Sequence, residues 1–184
     1  MDKPLAFARE LVQSVVSTGD IVVDATCGNG HDTIFLAQLV GAEGQVYAFD
    51  IQKTAIEITQ KKVIDAGLQK CVTFVEASHA EAAHWPQEPN AAVMFNLGYL
   101  PGGDHAVVTR PETTVAALQV AVRRLRENGV ITLVVYTGHD GGEQEYRFIR
   151  EYCASLSQQD FAVLEYRFIN QKNQPPLLLA IARV

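Results

Sequence analysis

Ten residues, Asp24-Ala25-Thr26-Cys27-Gly28-Asn29-Gly30-His31-Asp32-Thr33, sit between the apolar run Ile21 to Val23 and a helical pattern running on from Ile34. This is a strand-to-helix turn. Gly28 and Gly30 allow the backbone to bend tightly and approach a ligand, and the first turn of the following helix offers N–H groups without acceptors. A ligand bearing a carboxylate or phosphate suits such a place. A second strand ends Ala48-Phe49-Asp50-Ile51, and Asp50 lies 20 residues after Gly30, the spacing at which an acid accepts hydrogen bonds from both hydroxyls of an adenosine ribose. At this point NAD and S-adenosyl-L-methionine both remain open. Two details favour the second: Thr33 stands where a dinucleotide fingerprint has its third glycine, and Asp24 precedes Gly28 by four residues. An acid there opposes a pyrophosphate and attracts an α-ammonium group, through a charge-assisted hydrogen bond about twice as strong as a neutral one. The bland alternative makes Asp24 and Asp32 caps of the helix.

After the third strand, Ser78 and His79 fall where such folds hold an adenine ring or its amine, although His79 equally suits a short surface helix. The candidate cofactor set is therefore Asp24, Thr26, Cys27, Gly28, Asn29, Gly30, Asp32 and Thr33, then Asp50, Ile51 and Gln52, then Ser78 and His79, with Asn96, Leu97 and Gly98 closing it. The fourth strand runs into Asn96-Leu97-Gly98-Tyr99-Leu100-Pro101-Gly102-Gly103-Asp104-His105, at the sheet edge where doubly wound folds bind ligands. Its first four residues resemble the Asn/Asp-Pro-Pro-Tyr/Phe motif of amino-group methyltransferases, with Gly98 replacing a proline. In that motif a polar side chain and a carbonyl accept hydrogens from an amine while the aromatic stacks on the base. Methyl transfer from a sulfonium needs positioning and exclusion of water, and an alkylamine acceptor must first lose a proton. Asn96, Tyr99, Asp104, His105 and His139 are the candidates for this chemistry. Asp104 and His105 have a second reading as turn and helix-entry residues.

Positioning these groups requires a layered sheet. Strand-like runs are Ile21 to Asp24, Gln45 to Asp50, Val72 to Val75, Ala91 to Asn96, Val130 to Tyr136, Phe161 to Ile169 and Leu177 to Val184. Helical patterns cover Pro4 to Val16, His31 to Val40, Lys53 to Ala66, a short piece at Ala80 to His84, Glu112 to Arg126 and Glu143 to Leu156. The expected fold class is α/β, a seven-stranded, mostly parallel sheet with helices on both faces. Only Asn170 to Pro176 separates the last two strands, so they must pair antiparallel, as in a methyltransferase sheet rather than an ordinary dinucleotide fold. Tyr136 to Gly142 follows the fifth strand and forms the far wall of the pocket. The hairpin loop Asn170 to Pro176 carries amides suited to base edges and Lys172 suited to phosphate, though polar hairpins are common without a ligand. Arg123, Arg124 and Arg126 are read as complementing a helix dipole.

The chain has 184 residues, 48% of them hydrophobic, and a formal net charge of −6. This matches a single domain over residues 1–184 and argues against broad binding along a nucleic-acid backbone. The three cysteines, Cys27, Cys71 and Cys153, are far apart, so reduced thiols are expected and a metal or disulfide framework is not. No apolar run approaches the about 18 residues needed to cross a bilayer, and no leader pattern opens the chain. A cytoplasmic protein without membrane association is expected.

Taken together, Asp24 to Asp32, Asn96 to Asp104, the Gly138-His139-x-Gly141-Gly142 stretch and Asn170 through Pro176 resemble the small bacterial methyltransferases long labelled "putative rRNA methylases". That group includes the methyltransferase for 5-aminomethyl-2-thiouridine at the tRNA wobble position, and the match runs nearly end to end. His105 stands where the group more often has Lys. The resemblance implies a Rossmann-like domain, S-adenosyl-L-methionine as donor, N-methylation of the aminomethyl group, a tRNA anticodon arm as partner, and a homodimer. An rRNA or small-molecule N-methyltransferase with the same cofactor site, or a noncatalytic binding subunit, is the alternative. With an acidic balance overall, RNA binding requires positive charge gathered on one face.

Overall fold

A computed structural model describes residues 2–98, 109–138 and 141–184. In chain order the elements are α1 (Pro4–Val15), β1 (Ile21–Asp24), α2 (His31–Val40), β2 (Gln45–Asp50), α3 (Lys53–Asp65), β3 (Val72–Glu76), β4 (Asn90–Leu97), α4 (Pro111–Arg124), β5 (Leu125–Val135), α5 (Gly142–Ala154), β6 (Phe161–Tyr166) and β7 (Leu177–Arg183). Short 3-10 turns at Gln69–Cys71 and Ala82–His84 lead into β3 and β4.

The strands form one sheet in the order β3-β2-β1-β4-β5-β7-β6. β3 through β5 pair in parallel, whereas β7 runs antiparallel to both β5 and β6. The short connection between β6 and β7 has no room for a crossover helix, which explains the antiparallel insertion. The strand order reverses between β1 and β4, so the carboxyl ends of those strands flank the switch point of the sheet.

Alternation along the central strands divides the core into two layers. Val22, Val46, Ala48, Ala92 and Met94 pack under α1, α2 and α3, against Ala8, Val12, Leu36, Ala37 and Ile56. Val23, Phe49, Val93, Phe95, Ile131 and Leu133 pack on the other face against Ala117, Leu118, Tyr146 and Ile149 of α4 and α5. Both faces are covered, which is why the central strands read as continuous apolar runs.

The largest differences from the sequence reading lie at two places: α4 gives way early to β5, which starts at Leu125 rather than Val130, and β6 ends early. The helix expected through Arg126 stops at Arg124, and Leu125 is already extended (φ −68°, ψ 128°) and paired with Asn90. No helix-breaking residue marks that end; the pairing with β4 decides it. β5 then takes up a register shift opposite Asn90 and Ala92, with Asn128 at φ 58°. Arg126 consequently belongs to a strand rather than to the last turn of α4. Its guanidinium donates to both oxygens of Asp20 at 3.0 Å and to the Val15 carbonyl at 2.8 Å, tying the end of α1 to β5. At the other end of the sheet β6 ends at Tyr166 instead of continuing to Ile169, which is 90% exposed.

Candidate active site

The donor half of the site is a glycine turn whose backbone N–H and C=O groups are gripped by β2 and α3. Gly28 and Gly30 have φ of 48° and 80°, values that disfavour any side chain, and a Cβ on Gly30 would come within 2.9 Å of the Thr59 side chain. Cys27 N–H donates to Phe49 O at 2.8 Å, and Gly30 N–H to Cys27 O at 2.7 Å. From α3, Thr59 Oγ1 donates to Gly28 O at 2.9 Å and Lys62 Nζ to Asn29 O at 2.7 Å. Asp50, at the end of β2, accepts Gly28 N–H (3.0 Å) and Gln52 N–H (2.9 Å) on separate oxygens. Each of these oxygens keeps a further lone pair for a ligand hydroxyl. Ile51 beside it is 57% exposed.

Asp24, 1% exposed at the end of β1, accepts Thr33 Oγ1–H at 2.6 Å and Thr26 N–H at 3.2 Å. Burial, and then the neighbouring Asp32 carboxylate, push the Asp24 carboxyl up to about 7. Burial likewise raises Asp50. One buried and one half-buried acid with this bias favour an incoming cation or hydroxyl donor. Burial, followed by Asp24 and Asp50, raises the Cys27 thiol, so it stays protonated and is no nucleophile.

His79 lies against this segment, whereas the hydrogen bonds of Ser78 are local to its own turn. Ser78 Oγ accepts Ala80 N–H at 3.2 Å, a local turn bond. His79 Nδ1 is 3.0 Å from the Ala25 carbonyl, and because a carbonyl only accepts, Nδ1 carries the proton. Nε2 is then a bare acceptor, buried and unpaired among the described residues. Burial lowers the imidazole's pKa, keeping it neutral. Trp85 Nε1 donates to the His79 backbone carbonyl at 2.8 Å, which anchors the backbone that carries the ring.

The acceptor half is organised by side chains. Asn96 N–H donates to Thr26 Oγ1 at 2.7 Å, which ties the end of β4 to the donor turn. Asn96 Nδ2 donates to Asp32 Oδ2 at 2.7 Å, while the other Asp32 oxygen accepts both Arg9 Nε (2.9 Å) and Nη2 (2.7 Å). Asn96 Oδ1 is buried without a partner among the described residues. Leu97 O accepts Tyr136 N–H at 3.4 Å. Tyr136 is itself 40% exposed, and burial, followed by the Asp32 charge, raises its phenol. Where β4 ends, Gly98 N–H donates to Thr109 Oγ1 at 3.0 Å, and Thr109 N–H donates back to Gly98 O at 3.1 Å. Thr109 Oγ1 (2.8 Å) and Thr114 Oγ1 (2.6 Å) both donate to Glu145, a 1% exposed carboxylate on α5. The stems of the loop after β4 are thus clamped to one buried acid.

The structure therefore brings Asp24, Thr26, Cys27, Gly28, Gly30, Asp32, Thr33, Asp50, His79 and Asn96 to the carboxyl ends of β1, β2 and β4. Tyr99, Asp104, His105 and His139 lie outside the described residues. Arg9, Thr109, Thr114 and Glu145 escaped the sequence reading. Arg9 sits in an ordinary amphipathic helix, and nothing in its local pattern distinguishes it. Glu145 had one signal, an acid in the first turn of the helix following the glycine stretch Gly141-Gly142, which reads as a helix-dipole contact. Among the described residues, no cluster of His, Cys, Asp or Glu suits a metal ion.

Known proteins share this fold. A crystal structure described as "putative rRNA-methylase from Clostridium thermocellum" superposes with a TM-score of 0.98 at 45% identity, covering 100% of this chain and 99% of that one. A "putative methyltransferase" from Streptococcus mutans, solved in complex with SAH, superposes with a TM-score of 0.92 at 34% identity over 100% and 99% of the two chains. Fold and site define an S-adenosylmethionine-dependent methyltransferase with a Rossmann-like sheet. A family profile described as "Putative rRNA methylase" matches residues 46–182. The Arabidopsis thaliana protein named tRNA (mnm(5)s(2)U34)-methyltransferase, chloroplastic, is 36% identical over 98% of this chain and 70% of its own length. The chain belongs to this rRNA methylase family.

Proposed function

We propose that the protein N-methylates the 5-aminomethyl group of 5-aminomethyl-2-thiouridine at the tRNA wobble position, acting as a homodimer. The observation that carries this reading is Asn96 Oδ1, a buried acceptor at the switch point without a partner among the described residues, whose amide is oriented by Asp32. An amine N–H satisfies that oxygen, whereas an acceptor atom there is repelled. The 36% identical Arabidopsis relative supports the substrate.

The residues present fit S-adenosylmethionine, which supplies the electrophilic methyl when bound. In this reading Asp24 takes the α-ammonium, Asp50 the ribose hydroxyls, and the bare Nε2 of His79 the adenine amine, with Ile51 offering an apolar cover. Asn96 Oδ1 and backbone at Leu97 and Gly98 orient the substrate amine so that its lone pair faces the methyl, a gain from positioning rather than covalent catalysis. Tyr99, Asp104, His105 and His139 are the proposed groups for stacking on the base and receiving the amine proton. Lys172 and the amides of the β6–β7 loop provide contacts for the anticodon arm.

The test is transfer of labelled methyl from S-adenosylmethionine to tRNA lacking this modification, followed by mass analysis of the nucleosides. A product one methyl heavier than 5-aminomethyl-2-thiouridine is expected. Label in rRNA and none in tRNA overturns the substrate assignment and leaves the cofactor site standing.

A further inference from the structure

Asn96 can present either end of its amide to the site, and the two ends have opposite chemistry. Asp32 decides between them. A carboxylate paired to a guanidinium only accepts, so the Asn96 end lying 2.7 Å from Asp32 Oδ2 must be Nδ2, and Oδ1 is turned toward the acceptor side. The question moves to what holds Asp32. A carboxylate held only by Asn96 can rotate and carry Oδ2 out of reach of the amide, so the amide is fixed only as well as Asp32 itself is held.

We propose that Arg9 is a positioning residue of the methyl-transfer site: through Asp32 it fixes Asn96 with its oxygen toward the acceptor amine. This rests on the reading of Asn96 given above. The guanidinium comes from α1, outside every sequence motif of the site. Nε and Nη2 grip the same oxygen, Oδ1, at 2.9 and 2.7 Å, which leaves Oδ2 available to Asn96. A second contact immobilises the fork, because its central carbon lies 5.3 Å from the centroid of the Phe35 ring on α2. The pair is well shielded, with the Asp32 side chain 9% and the Arg9 side chain 33% exposed. A lysine supplies the charge but neither the fork nor the stacking on Phe35.

The test compares Arg9→Ala, Arg9→Gln and Arg9→Lys in the full chain. With S-adenosylmethionine and undermethylated tRNA, Arg9→Ala is expected to lower kcat about tenfold or more, the scale of a misplaced reacting group, while cofactor Kd stays within about threefold. Arg9→Lys is expected to recover part of the loss. The side-chain amide resonance of Asn96, assigned through Asn96→Asp, is expected to move in the Ala and Gln variants as its bond to Asp32 is lost. An unchanged kcat in Arg9→Ala, or an Asn96 resonance that stays in place, overturns the proposal. If Arg9→Ala does not fold, as judged by circular dichroism, the Gln and Lys variants decide on the same two readouts. If the wild-type protein methylates no tRNA, the substrate reading fails, and the Asn96 resonance still decides whether Arg9 positions it.

Discussion

The two halves of the site are built differently. Around Asp24 and Asp50 the donor turn is held through its own backbone groups: Cys27, Gly28 and Gly30 donate their N–H groups to fixed acceptors, and the Thr59 and Lys62 side chains of α3 grip the Gly28 and Asn29 carbonyls. Around Asn96 the acceptor half depends on side chains from distant elements, with Arg9 and Asp32 on one side and Thr109, Thr114 and Glu145 on the other. A cofactor common to many reactions meets a glycine turn whose backbone is held by β2 and α3, both of which follow it in the chain. The acceptor meets groups whose placement depends on how α1, α4 and α5 pack on the sheet.

The sharpest break of this contrast is Asp24→Ala. Removing the carboxylate proposed for the α-ammonium is expected to weaken S-adenosylmethionine by about a hundredfold or more, as loss of a buried charge-assisted partner does, and activity falls with it. Isothermal titration measures this directly. Retained affinity would reduce Asp24 to a helix-capping role. Next in size is Glu145→Ala, which strands the buried Thr114 hydroxyl at a cost of about 1–3 kcal/mol, removes the acceptor of the half-buried Thr109 hydroxyl, and loosens the stems of the acceptor loop. A turnover lower by about tenfold with cofactor affinity kept is expected from such misplacement. Equal losses in both would show that the halves are not separable.

The smallest effect is the pH dependence of the donor half. In the free protein the Asp24 carboxyl sits at about 7, above its ordinary 3.8, so the proton competes with a cationic ligand. S-adenosylmethionine affinity is therefore expected to fall as pH drops below about 7, by at most about tenfold per unit, and to level off above it. The folding linkage has the opposite sense. Between 3.8 and about 7 the folded chain holds a proton that the unfolded chain has lost, so the contribution of Asp24 to stability is greatest below 3.8 and declines as pH rises to about 7. Asp24→Asn removes both dependences, which titration calorimetry and thermal melts across that range detect.

Much of the donor half was legible in the sequence because its geometry is local. Gly28 and Gly30 mark the turn, and Asp50 follows at a spacing fixed by one helix and one strand. The antiparallel β7 was legible too, since Asn170 to Pro176 is too short for a crossover. The end of α4 was not, because Leu125 and Arg126 suit a helix well and only pairing with β4 pulls them into a strand. Arg126 reads as a dipole partner in sequence, yet binds Asp20, 106 positions away.

By itself the sequence determined the α/β sheet, the glycine turn and the acids at the strand ends, since periodicity, turn chemistry and short-range spacing carry that information. The tertiary structure decided which end of the Asn96 amide faces the site, which nitrogen of His79 is bare, and that Asp24 titrates near neutrality. Each depends on partners far along the chain: Arg9 is 23 residues from Asp32, and Asp32 is 64 from Asn96. Burial and hydrogen-bond direction arise only when those distant groups are packed together.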